Sequence, residues 1–78
     1  MLATALRSNL RVFRNDPRRP GGHKSLRAAA RELGVSPSTL SEWEHGKHFP
    51  SLEDALRVAA YYGTPVEALF QLEGNTPA

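Results

Sequence analysis

The sequence predicts an all-α fold: a compact bundle of five helices that forms a single domain. Apolar residues recur at helical spacing along most of the 78 residues, and no stretch shows a competing strand pattern. Glycine, proline and helix-capping residues stand at the predicted helix ends. The length suffices for one small domain, so residues 1–73 are expected to fold together and residues 74–78 to form a frayed tail.

The first predicted helix runs from about Ala3 to Asn15 and ends before Pro17, which cannot continue a helix. One of its faces is apolar and carries Leu2, Leu6, Leu10 and Phe13. Residues 16–24 follow as a loop rich in proline, glycine and basic side chains.

Residues 26–45 predict the second and third helices, joined by one tight turn. Gly34 ends the second helix, because a left-handed backbone is cheap there only for glycine. Ser36 caps the third helix and Pro37 occupies its first position, while Gly46 ends it. A unit this short needs flanking helices to bury its apolar side. Its second helix then projects outward, a geometry that suits a DNA major groove.

The last two predicted helices begin at capping boxes, in which the N-cap hydroxyl accepts from an amide of the first turn and an acidic residue three positions later accepts from the N-cap amide. The fourth helix begins at Ser51, ends at Gly63 and is expected to bury Leu52, Ala55, Leu56 and Ala59. The fifth begins with residues 64–67, has Pro65 at its first position and carries the apolar residues Val66, Leu69, Phe70 and Leu72.

The helix-turn-helix segment resembles that of the lambda-repressor-like family, also called the Cro-type or XRE family. The resemblance rests on Ala30 and Gly34, with apolar Ala29, Leu33, Val35, Leu40 and Trp43, and on the continuation Glu44-His45-Gly46-Lys47 and Pro50-Ser51. It extends from about Leu10 to Leu72. It implies a sequence-specific regulator of transcription, most simply a repressor, with residues 37–45 in the major groove of double-stranded DNA.

The charges are distributed unevenly along the chain. Residues 1–31 hold eight basic residues and one acid, whereas residues 32–78 hold two basic residues and seven acids. A cationic end of this kind is typical of a phosphate-facing surface. The alternative is a solvated surface that carries both signs.

A helical projection of residues 37–45 places Leu40 and Trp43 on the buried side. The outward face is predicted to contact bases through Pro37, Ser38, Ser41 and Glu42. The third helix holds no Arg, Lys, Gln or Asn, so DNA shape is expected to supply part of the specificity. Glu42 has two alternative interpretations, as a solvated residue or as a contact for a protein partner.

Phosphate contacts are predicted at the two helix N-termini and around them, because free amides and the helix dipole favour anions. The candidates are Ser25, Arg27, Ser36, Thr39 and Lys47. The 16–24 loop, longer than in the family, adds Arg18, Arg19 and Lys24, unless it is a disordered surface loop.

Arg7, Arg11 and Arg14 form a cationic stripe on the first predicted helix. One interpretation directs this stripe to phosphates. The family resemblance implies instead an ion pair with the glutamate that ends the third helix. Glu44 is the acid best placed for it, with Arg14 as the first choice of partner and Arg11 as the second.

The fifth predicted helix offers more apolar surface than docking requires. A homodimer interface through Val66, Leu69 and Phe70 is therefore predicted, with Phe70 as the most exposed member. The alternative is that all of them pack into the core.

Other classes of function find little support. Cysteine is absent and the three histidines lack zinc-site spacing, so no metal or other cofactor is expected. No nucleophile site or phosphate-binding glycine loop is present, which argues against an enzyme and a small-molecule substrate. No apolar run is long enough for a membrane and the start is no signal peptide, so a cytoplasmic location is expected. The competing interpretation is a protein-interaction module, such as an antitoxin or antirepressor-type partner.

Overall fold

The structure, a computed structural model, describes residues 4–74. It contains two short strands and five helices: β1 (Thr4–Ser8), α1 (Leu10–Arg14), α2 (Leu26–Leu33), α3 (Pro37–His45), α4 (Leu52–Tyr62), α5 (Val66–Leu69) and β2 (Phe70–Gly74). The domain is mostly helical but not strictly all-α, which corrects the predicted fold class. The predicted frayed tail, residues 74–78, was wrong at its first residue, since Gly74 pairs with Thr4 in the sheet. The rest of that tail, and Leu2 and Ala3 of the first predicted helix, lie outside the described residues.

Local capping explains where α2, α3 and α4 begin. The hydroxyls of Ser25, Ser36 and Ser51 each accept a hydrogen bond from the backbone amide three residues later, at 3.1, 3.1 and 3.2 Å. These bonds satisfy amides that the helix itself leaves unpaired, as the sequence predicted.

Glycines end the same three helices. Gly34 and Gly46 adopt φ values of 77° and 72°, in the left-handed region that an ordinary side chain disfavours. After Gly34, the amide of Val35 donates back to the carbonyl of Ala30 at 3.0 Å. The turn between α2 and α3 is therefore fixed by backbone geometry as well as by packing.

The two ends of the domain form an antiparallel sheet rather than the helical ends that were predicted. Residues 4–8 pair with residues 70–74, with Leu6 opposite Leu72 at the centre of the ladder. The prediction of a first helix from about Ala3 to Asn15 was wrong in its first half, because β1 satisfies its backbone groups with a strand more than sixty residues away. Directly after β1, the backbone N–H of Asn9 donates to the carbonyl of Leu69 at 2.7 Å.

The fifth helix is short and lacks the predicted capping box. Pro65 stands at the N-cap position rather than at the first helical position, and no side chain bonds to the first turn. The helix ends at Leu69 because Phe70 already has the extended backbone of β2.

The core lies where α1 to α5 meet. Its members are Leu10, Ala29, Ala30, Leu33, Leu40, Trp43, Val58, Ala59, Tyr62 and Leu69. Leu69 is fully buried, which corrects its assignment to a dimer interface. Phe70 is half-buried and packs edge-on against Phe49, with ring centroids 6.0 Å apart, so it is not the exposed member that was predicted.

Helix α4 presents a different face to the core from the one predicted. It buries Ala55 and Ala59 as expected, but with Val58 and Tyr62 rather than Leu52 and Leu56. Leu52 is 74% exposed and Leu56 is 54% exposed, so the prediction that both are buried was wrong. The helix carries apolar residues on two faces, and α2 and α5 cover one of them.

No helix within residues 4–74 has the length and apolar character that crossing a bilayer requires.

Candidate nucleic-acid interface

Helix α3 presents its polar side to solvent. Leu40 and Trp43 are buried on the opposite side, which fixes the rotation of the helix. Of the predicted base-contacting residues, Pro37, Ser38 and Glu42 are exposed and Ser41 is partly exposed. The structure therefore brings all four to the accessible side of one helix.

This face offers hydroxyls and a carboxylate but no cation. Serine hydroxyls can donate to or accept from several base edges, and a carboxylate can accept from cytosine N4. Glu42 also repels phosphates, so attraction to DNA must come from groups around the helix rather than from its outer face.

His45 is a polar group of this helix that was not assigned to the interface from the sequence. Its Nδ1 lies 2.8 Å from the carbonyl oxygen of Ser41. Because a carbonyl oxygen only accepts, Nδ1 is the donor in this contact, and the ring itself is exposed. The four-residue spacing of Ser41 and His45 was the available signal, since it places the two on one face.

The N-termini of α2 and α3 carry the predicted serine caps. Ser36 also donates its hydroxyl hydrogen to the Oγ1 atom of Thr39, at 2.9 Å. At this terminus the serine is thus occupied as donor and acceptor, and the other amides of the first turn are the groups suited to a phosphate oxygen.

Two predicted phosphate-binding cations lie near helix ends, one at the N-terminus of α2 and one just beyond the C-terminus of α3. Arg27 is exposed in the first turn of α2, and Lys47 is exposed one residue after Gly46. The amide of Lys47 donates to the carbonyl of Glu42 at 3.0 Å, which fixes the backbone where the chain leaves α3. Both side chains are accessible from outside the domain.

The cations of the 16–24 loop have partners inside the chain. Arg18 bonds to the carboxylate of Asp16 at 3.2 Å, and its backbone and side-chain hydrogen bonds lower the pKa of Asp16. The Arg19 guanidinium lies 4.5 Å from the centre of the Phe13 ring, a distance typical of a cation–π contact.

Lys24 belongs to a three-residue cluster that connects the loop to two helices. Its Nζ atom lies 2.6 and 2.7 Å from the carboxylate oxygens of Glu32 in α2, and the Tyr61 hydroxyl of α4 donates to the same carboxylate at 2.6 Å. The bond from Lys24, and then that from Tyr61, lowers the pKa of Glu32. Burial and the bond to Glu32 raise the pKa of Tyr61.

Backbone packing holds the same loop against α4. Gly21 has φ 72° and lies so close to Tyr61 that an added Cβ would be 2.6 Å from its ring, while Pro20 lies against Gly63. Together with the side-chain pairs, these contacts place the loop against α2 and α4.

Arg14 and Glu44 lie together beneath the interface. Arg14 Nε is 2.6 Å from Glu44 Oε2 and Nη2 is 3.1 Å from Oε1, a bidentate arrangement. Arg14 also donates to the carbonyl of Lys24, and the bond to Glu44 raises the pKa of the guanidinium. Arg11, the second candidate partner, is exposed. The pair fixes α1 against the C-terminal end of α3.

No group of three or more His, Asp or Glu side chains in the described part of the chain is arranged to hold a metal ion.

This geometry defines a class of protein. A short capped helix, a left-handed glycine turn and a second capped helix with an outward polar face are the parts of a helix-turn-helix. The profile of a family described as "Helix-turn-helix domain" matches residues 5–72, and the chain belongs to that family.

The name of a curated relative also states a kind of function. Over 46 residues the chain is 41% identical to a protein of Methanocaldococcus jannaschii that is named an uncharacterised helix-turn-helix-type transcriptional regulator. The match covers 59% of this chain and 70% of that protein.

Proposed function

We propose that this protein binds double-stranded DNA in a sequence-specific way and regulates transcription, as a repressor of the lambda-repressor-like (XRE) class. The observation that carries the proposal is the outward face of α3, where Pro37, Ser38 and Glu42 are exposed on a helix whose other side is locked into the core. A bound domain of this size would exclude other proteins from the same stretch of DNA, which is the simplest route to repression. Membership of the helix-turn-helix family and the named relative support this function.

The charges around the helix-turn-helix indicate which groups bind the DNA phosphates. Arg27, Lys47 and the first-turn amides of α2 and α3 attract and position the phosphates. Arg19 and Lys24 are already engaged with Phe13 and Glu32, so they contribute less to affinity than their number in the sequence suggests. Arg18 is 88% exposed and can turn toward a phosphate more easily.

Specificity comes from a small set of side chains. Ser38, Ser41 and Glu42 supply hydroxyl and carboxylate contacts to base edges, and Pro37 offers van der Waals contact to a thymine methyl group. Because none of these is a bidentate reader of guanine or adenine, sequence-dependent DNA shape supplies the remainder.

The decisive experiment is selection of random duplex DNA by the purified protein. The proposal expects an enriched motif and an affinity that falls steeply as salt rises, with a slope that reflects several phosphates. Selection that enriches no motif, or binding that does not depend on salt, would refute it.

Two variants separate base contacts from phosphate contacts. Ser38→Arg should change which sequences are selected, because arginine prefers guanine O6 and N7. Lys47→Ala should weaken binding to all sequences alike and reduce the salt slope by about one phosphate. Asn15→Ala, at an exposed position after α1, is the matched control and should leave both properties unchanged.

A protein-interaction module remains the second candidate, and the excess of acidic residues in residues 32–78 favours it. The same selection experiment distinguishes the two functions. An interaction module should neither enrich a motif nor respond to Ser38→Arg. For a regulator that binds as a homodimer, the selected motif should be two-fold symmetric, with half-sites about 34–36 Å apart.

A further inference from the structure

Helix α4 exposes an apolar stripe that its own domain does not cover. Leu52, Leu56 and Ala60 follow one another at four-residue spacing and are all exposed. They line an open groove, which Glu53 and Arg57 flank. The function proposed above does not use this surface.

The stripe continues into a second apolar groove. Leu52 lines both grooves, and in the second it lies with Leu6, Phe49, Val66 and Phe70. Apolar side chains, some exposed and some half-buried, therefore line the surface from β1 across the start of α5 to the middle of α4. A continuous and partly exposed apolar surface of this kind is typical of a protein–protein contact.

The charges beside the stripe match a second copy of the same surface. Glu53 and Arg57 lie one turn apart on one flank of α4 and carry opposite charges. If two α4 helices pack antiparallel across a two-fold axis level with residue 55, Glu53 of each copy lies opposite Arg57 of the other. The two Leu56 side chains then lie on either side of the axis, about 3 Å apart along the helix direction. A partner of uniform charge would satisfy only one of the two flanking groups.

We propose that the α4 stripe is a homodimer interface, in which Leu52, Leu56 and Ala60 pack against the same residues of a second copy. Arg57 already donates to Asp54 at 2.6 Å and to the carbonyl of Leu33 at 3.3 Å. A guanidinium has five N–H donors, so it can bind a further carboxylate while it keeps both contacts. Since the interface includes no residue of the α3 face, both copies keep that face accessible.

The proposed interface replaces the one expected at the fifth helix. Leu69 is buried in the core of the monomer and Phe70 packs against Phe49, so neither is available in the way that the sequence suggested. Val66 lies at the margin of the α4 surface, because it lines the groove that Leu52 also lines.

A single-cysteine experiment tests the position of the axis. The chain has no cysteine, so Leu56→Cys can form a disulfide only with a second copy. Disulfide formation requires Cα atoms about 4.4–6.8 Å apart, which the proposed packing supplies near the axis. Oxidation should convert Leu56→Cys to a covalent dimer in non-reducing electrophoresis. Val12→Cys, at another exposed apolar position, should remain monomeric. Equal cross-linking of both variants, or none of Leu56→Cys, would overturn the proposal.

A charge reversal tests the pairing independently. Sedimentation equilibrium should show that Glu53→Arg and Arg57→Glu each weaken dimerisation at least ten-fold, because like charges then face each other. The double variant should recover dimerisation to within about two-fold of the parent. Circular dichroism checks that each variant folds, and the cysteine experiment decides the matter if one does not. A double variant as weak as the single ones, or a parent that stays monomeric at its highest soluble concentration, would overturn the interface.

The outcome is independent of the proposed function. If the protein binds DNA but does not dimerise, the proposed role of the α3 face is supported and the α4 interface is refuted. If the dimer forms but selection enriches no motif, the α4 interface is supported and the proposed DNA-binding function is refuted. Capture of a different protein by a monomeric chain would assign the stripe to another partner and refute self-association.

Discussion

Removal of the Glu44 carboxylate tests the central packing of the domain. In the structure the side chain of Glu44 is 2% exposed and that of its partner Arg14 is 14% exposed. Glu44→Ala leaves the guanidinium buried, with the carbonyl of Lys24 as its remaining acceptor in the described contacts. Loss of one member of a buried ion pair costs about 3–5 kcal/mol, because the other charge is left uncompensated.

That loss is large for a domain of this size. A chain of 78 residues has a free energy of unfolding of about 4–12 kcal/mol. Since 1 kcal/mol shifts the melting temperature of such a domain by about 4–8 °C, Glu44→Ala should lower it by about 12 °C or more. Thermal and urea unfolding followed by circular dichroism measure both quantities.

Glu42→Ala is the matched control, because Glu42 lies on the same helix and is exposed. It should change the free energy of unfolding by about 0.5 kcal/mol or less. Replacement of both charges, as Arg14→Met with Glu44→Leu, should recover much of the stability lost in Glu44→Ala, since no buried charge is then left alone. Equal and small shifts for Glu44→Ala and Glu42→Ala would refute this account of the core.

Two further predictions concern pH. Hydrogen bonds from Lys24 and Tyr61 lower the pKa of Glu32 below its ordinary value of 4.5. These bonds therefore stabilise the folded state fully above pH 4.5, and that stabilisation is lost as the pH falls through the lowered pKa. Glu32→Gln should therefore lose less stability than the parent when urea unfolding is repeated at successively lower pH below 4.5. Burial raises the pKa of Tyr62 from 10.0 to about 12, so its contribution is complete below pH 10 and is lost as the pH rises toward 12. Tyr62→Phe should reduce this loss of stability at alkaline pH. No described protein group bonds to the buried hydroxyl, so the same variant should keep the free energy of unfolding at neutral pH within about 1 kcal/mol of the parent. A large loss of stability at neutral pH would show that the hydroxyl does have a stabilising partner.

The middle of the fold was predictable because its signals are local. Ser25, Gly34, Ser36 and Gly46 act through backbone bonds within a few residues, and the structure places the ends of α2 and α3 where these residues predict them. The outward face of α3 follows in turn from the spacing of the buried residues on the same helix.

The sheet could not be predicted in the same way. Its two strands lie more than sixty residues apart in the sequence, and each takes its ladder hydrogen bonds from the other. The four-residue spacing of Leu6 and Leu10 also fits a helix, so local periodicity favoured the wrong structure there. Only knowledge of the long-range pairing would have chosen between the two.

The exposed face of α4 was missed for a related reason. Leu52 and Leu56 are larger and more apolar than Ala55 and Ala59, so hydrophobicity favours burying the leucines. The alanines lie inside because they let α4 approach the other helices closely, with Val58 and Tyr62 filling the remaining space. The partners of Lys24 and Arg19 within the chain could not be predicted from the sequence either, because they depend on the path of the 16–24 loop.

The pairing of β1 with β2 also determines how the domain would respond to tension between its two ends. Thr4 and Gly74 are partners at one end of the ladder, so a pulling force would open the ladder one residue pair at a time, starting from that end. After the ladder has opened, the hydrogen bonds from Asn9 to the carbonyls of Leu69 and Ala68 would have to break before the force acts on the helices. A tethered molecule should therefore extend first at low force and yield in its helical part only in a second, distinct step.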